Sequence, residues 1–112
     1  MDASSLYSQT LSHLDATELR MTSPEGDALI QAASKDDHKK AVRVLLDVHQ
    51  ARLALGNASL QSIASKLKAN EQAILDGTKA VQGALKGLNN LAQILNAVGD
   101  LIGIVAKIVP VL

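Results

Sequence analysis

An all-α fold follows from three observations on this 112-residue chain. Its apolar residues recur at three- and four-residue spacing, no sustained alternating run competes with that period, and the strand-favouring aromatics are nearly absent. Tyr7 is the single aromatic among 47% apolar residues, so the core has to be built from Leu, Ile, Val and Ala. The length suits one domain with one modest core. The expected architecture is an elongated helical hairpin or bundle. Short acidic helices are expected over residues 1–34, and heptad-patterned long helices over 35–112.

The first element is expected from about Ser4 to Arg20, where Tyr7, Leu11, Leu14 and Met21 make a short docking stripe. A stop and restart follows at Thr22-Ser23-Pro24-Glu25. Ser23 can cap, Pro24 fits the first helical position, and Glu25 suits the positive end of the helix dipole. After a short helix through Asp27–Ala33, Ser34 and Asp37 make a capping box, with Asp36 adding charge to the first turn. A new helix is expected there.

From Val42 onward the spacing predicts one sustained seam: Val42, Leu46, Leu53, Leu60, Ile63, Leu67, Ile74, Val81, Ala84, Leu88, Leu91, Leu95, Val98, Ile102, Val105, Val109 and Leu112. His49, Gly56, Asn70 and Gly77 occupy the same register without being apolar. His49 and Asn70 either fix register, or mark weakly packed ends or face a neighbour's polar group. Gln72, Lys79, Lys86, Gln93, Asp100 and Lys107 recur every seven residues on the opposite face, giving the same phase. A single straight helix of this length would reach on the order of 100 Å, so the segment must fold back or assemble. Gly56-Asn57 and Asp76-Gly77-Thr78 are the candidate turns. The second divides the region into similar arms and predicts a hairpin near Gly77.

Beyond Val81 the apolar surface widens through Leu85, Ile94, Leu101, Ile104, Ala106 and Ile108, which calls for more than one partner helix. Gly83 with Gly87, and Gly99 with Gly103, form two GxxxG pairs that permit close helix approach. Gln93, Asn96, Asp100 and Lys107 interrupt any membrane span in this stretch, and no interfacial aromatic flanks it. Pro110 should stop the last helix, leaving Val111-Leu112 as an apolar tail against the core.

Charge is divided along the chain although the net charge is zero. Asp2, Asp15, Glu18, Glu25, Asp27, Asp36 and Asp37 make residues 1–37 acidic against Arg20 and Lys35, and the remainder is correspondingly basic. The two regions can attract one another within or between chains.

The search for chemistry finds no recognisable site. The chain has no cysteine, and His13, His38 and His49 lack metal-ligand spacing. Asp36 and Asp37 are better explained as helix-start charges than as ligands for an ion with His38. No glycine loop cradles a phosphate and no G-x-S-x-G elbow is present. Lys39, Lys40 and Arg43 form a small basic cluster without aromatics for stacking, so nucleic acid is not an expected partner. The N-terminus lacks a secretory pattern; cytoplasmic residence is the default expectation, with signal-independent export the alternative.

The function expected from these features is non-enzymatic assembly through the apolar seam, either with copies of the chain or with a helical protein partner. Catalytic, cofactor and metal sites are not expected. Leu60, Leu67, Leu88, Leu95, Gly99, Ile102, Gly103 and Val105 are the candidate interaction residues. An alternative is a membrane-active protein, such as a small pore-forming or lytic subunit, using the C-terminal helix at a membrane surface. A further alternative is an adaptor or inhibitor that binds through the acidic N-terminal helices.

Overall fold

Four side chains fix where helices begin. Asp2, Ser23, Ser34 and Asn90 each accept a hydrogen bond from the backbone N–H three residues on, at Ser5, Gly26, Asp37 and Gln93. The computed structural model describes residues 1–110, and within them the chain forms six helices and no strand. These are α1 (Ala3–Met21), α2 (Pro24–Gln31), α3 (Lys35–Asn57), α4 (Leu60–Ala69), α5 (Glu71–Gly87) and α6 (Leu91–Ala106).

The core is a ring of four helices in which α1 packs on α3, α3 on α6, α6 on α5 and α5 on α1. Polar contacts give their directions. The Tyr7 hydroxyl donates to the Leu55 carbonyl at 2.8 Å while Glu18 lies beside His49, so α1 and α3 are antiparallel. Met1 reaches Glu71, and His13 reaches Gln82, so α1 and α5 run the same way. Short α4 carries the chain from α3 to α5 across the bundle and packs on α1, while α2 bridges α1 and α3. The whole measures 43 × 25 × 19 Å. Its core includes Leu6, Leu14 and Met21 of α1, Val48 and Leu55 of α3, Ile74 of α5, and Ile94, Leu95, Val98 and Leu101 of α6.

Three expectations are corrected. The chain does not turn at Gly77: α5 continues through it, and Thr78, far from capping a helix, is buried with its hydroxyl on the Leu75 carbonyl. Gly77 instead lets α6 approach, since a Cβ there would lie 3.1 Å from the Ile104 δ-methyl. The long region breaks first at the other candidate, Gly56-Asn57, where α3 ends. Secondly, the seam is not continuous. Ile63, Leu67, Ile74, Val81, Ala84, Leu88, Leu95, Val98, Val105 and Val109 are buried, but Val42, Leu46 and Leu53 are exposed, because α3 turns a different stripe inward. Thirdly, the GxxxG pairs do not support close approach within the chain, since a Cβ at Gly83, Gly99 or Gly103 would meet nothing within 4 Å. Val111 and Leu112 lie outside the described residues.

The turn from α5 into α6 stores local strain. Leu88 adopts the left-handed conformation, φ 46° and ψ 44°, which a side chain disfavours by roughly 1–2 kcal/mol per residue. Its side chain is buried, and that burial offsets the strain where glycine would contribute nothing.

Candidate functional site

Two surfaces stand apart from the closed core. The first is the outer face of α3. This helix carries two apolar stripes, each at alternating three- and four-residue spacing. Ala41, Val44, Val48, Ala51 and Leu55 face the core. Val42, Leu46, His49 and Leu53 face solvent, the three apolar ones with 51%, 49% and 46% of their surface exposed. A helix needs only one such stripe to join its own bundle. The second leaves a row of large side chains spaced for knobs-into-holes contact with another helix.

The charges around this face are arranged by the same helical period. Lys35 and Lys39 continue the outer stripe toward the start of α3, and both are exposed. At the opposite end the last turn holds no basic residue. Beside the stripe, Arg52 lies 3.4 Å from Glu18 and 3.9 Å from Asp15, and His49 Nδ1 lies 3.1 Å from Glu18. The acidic N-terminal helix and the basic region therefore do meet within one chain. That use of Glu18 lessens what α1 has left to offer an external basic partner. Arg43 pairs with Asp47 at 3.3 Å on its own helix rather than with the acidic residues 25–37.

The second surface is a cleft of about 360 Å³ between the C-terminal halves of α1 and α5, lined also by Leu101 of α6. Val81, Leu85 and Leu101 give it apolar walls. Arg20 and Lys86 stand in the last turns of α1 and α5, and His13 and Gln82 approach each other at 3.2 Å, all four lining the cleft.

The residues singled out from sequence fall mostly inside the molecule. Leu67, Leu88, Leu95 and Val105 are buried, Leu60 and Ile102 half-buried, and Gly99 and Gly103 exposed on α6. The first four hold the bundle together, so they are not free to meet a partner in this conformation. The outer stripe of α3 shares the register of the predicted seam, and spacing alone does not distinguish it from the buried positions. The signal that could have found it is the parallel stripe of smaller residues beginning at Ala41, which competes for the core.

In the Asp36-Asp37-His38 run the local contacts are a backbone cap and one histidine contact. The Asp37 N–H is held by the Ser34 cap, and His38 Nδ1 lies 3.3 Å from the Ile30 carbonyl. Among the described residues no three metal-binding side chains converge, and no helix is long and apolar enough to cross a membrane. Comparison with protein-family models, with curated proteins and with solved structures returns no match, so function has to be read from the chain's own surfaces.

Proposed function

We propose that the protein is a non-enzymatic helical assembly module whose α3 outer face pairs with the same face of a second copy. The observation that carries this reading is the solvent-exposed row Val42, Leu46 and Leu53, set in heptad spacing on a helix already packed through its other side. An antiparallel partner suits the row. It sets Val42 against the second copy's Leu53 and Leu46 against its His49, so the register is self-complementary. It also lays Lys35 and Lys39 near the carbonyl end of the partner's α3, where negative dipole charge lacks a basic residue in the last turn. A parallel partner would bring the lysines together instead.

The magnitudes favour a reversible dimer. Completing the burial of six half-exposed side chains, three from each copy, gives roughly 1 kcal/mol apiece, about half of full burial. That sum falls within the association cost of about 4–15 kcal/mol, so measurable pairing also requires the lysine contacts with the partner's helix end, each worth about 0.3–1 kcal/mol. Pairing should accordingly depend on concentration. Light scattering from ~10 µM to ~1 mM, which covers binding free energies of about −7 to −4 kcal/mol, is expected to show mass rising from 11.7 kDa toward twice that value. Leu46→Glu should hold the chain at monomer mass with unchanged helix content. A wild-type chain that stays monomeric throughout overturns the reading. Dye-loaded liposomes in the same series should stay intact; release of dye would favour the membrane-active alternative.

A further inference from the structure

We propose that the cleft between α1 and α5 binds an amphipathic carboxylate, a medium-chain acyl or an aromatic acid of similar size. Its apolar body would lie along Ala16 and the stem of Gln82 over a floor closed by Val81, Leu85 and Leu101, with its carboxylate between Arg20 and Lys86. This inference rests on a surface separate from α3 and does not depend on the assembly reading.

Size and wall chemistry come first. A volume of about 360 Å³ lies within the range of small-molecule sites, which are apolar with a few placed polar groups. Val81, Leu85 and Leu101 close the floor with little of their surface exposed, so an apolar body would replace water chiefly along Ala16 and the methylene stems of Gln82 and Lys86. The hydroxyls of Thr17 and Thr78, which also line the cleft, are occupied by the carbonyls of His13 and Leu75. They leave little to select for a polar body.

Charge then selects the head group. Arg20 and Lys86 line the cleft, and no carboxylate does. Part of the Arg20 charge is already answered: its Nε lies 3.4 Å from the Leu85 carbonyl, and its Nη1 is 3.6 Å from Glu25. Glu25 is 70% exposed, so that pair is screened by water and easily exchanged for a ligand's carboxylate. Lys86 has no ion-pair partner among the described residues. Both cations also offset helix carbonyl ends, which tempers their pull on an anion and points to modest affinity.

The test is an amide-resolved NMR titration of the full chain with decanoate, kept below its micellar range, and with decanol. The Leu46→Glu variant serves as background so that the α3 face does not contribute. Decanoate is expected to shift the amides of Ala16, Val81 and Leu101. Decanol should bind at least about tenfold more weakly, a factor worth about 1.4 kcal/mol. Lys86→Glu should weaken decanoate by a similar factor, and Ala16→Phe, at an exposed position on the cleft wall, should abolish the shifts. Equal binding of acid and alcohol, binding that survives Ala16→Phe, or shifts confined to other faces would overturn the proposal. None of these outcomes bears on self-assembly, which light scattering reads separately.

Discussion

Gly26 is held in place by backbone rather than by any conformational need of its own. A Cβ there would lie 2.5 Å from the Met21 carbonyl oxygen and 2.6 Å from that of Arg20. Ser23 draws the start of α2 onto the end of α1, its hydroxyl donating to the Arg20 carbonyl and accepting from the Gly26 N–H. Gly26→Ala gains up to about 1 kcal/mol of helix propensity. The overpacking it forces costs typically 1–3 kcal/mol and should win, because the neighbours are main chain and cannot rotate away. Urea denaturation is expected to show net destabilisation. Two surface carboxylates set a pH dependence at the same scale. The Asp2 carboxyl is held below its usual range chiefly by the Ser5 N–H it caps, and the Glu71 carboxyl chiefly by the hydrogen bond from Lys68. Unfolding raises both toward ordinary values, so the unfolded chain binds these protons first as pH falls. Their contribution is complete above the ordinary carboxylate range near about pH 4 and is lost as pH drops through the lower folded values. Amide protection factors at Ser5 and at the α4–α5 junction, corrected for the intrinsic pH dependence of exchange, should fall over that interval, with little change between about pH 6 and 8.

Among the helices, α6 separates what can be read from spacing from what cannot. Its inward residues Leu95, Val98 and Val105 obey the heptad, and Ile94 and Leu101 widen the face enough for α6 to meet both α3 and α5. Its glycines do not follow the pattern's usual meaning. Gly99 and Gly103 lie open, so replacing each with alanine should raise stability by up to about 1 kcal/mol, additively and with the fold unchanged. Loss of stability on thermal denaturation would show that something packs there. The contrast with α3 explains where sequence reading fails. From Leu60 onward large side chains mark the core face, so period and bulk agree. In α3 they disagree: the core takes Ala41, Val44, Val48 and Ala51, while Leu46 and Leu53 lie outside. Alanines suffice inside because α1 packs alongside this helix and larger neighbours fill the core. The caps at Ser23 and Ser34 were legible because they depend on local chemistry alone. The break after Asn57 was ambiguous because the apolar period runs through it unchanged.

At the scale of the whole molecule, the ring of four helices uses one stripe of α3 and leaves the other to solvent, where a second copy can cover it. Because the chain has no cysteine, introduced thiols can report that contact without interference. In an antiparallel pair Val42 lies opposite the second copy's Leu53, whereas two Val42 positions stand eleven residues apart along the helix, roughly 16 Å. A disulfide needs Cα atoms within about 7 Å. The most direct measurement is therefore oxidative cross-linking of an equimolar mixture of Val42→Cys and Leu53→Cys chains, distinguished by mass. The antiparallel pairing predicts mainly the mixed disulfide, and its loss when Leu46→Glu is added to both chains. Random proportions of mixed and like disulfides, or a predominance of Val42→Cys homodimer, would contradict it.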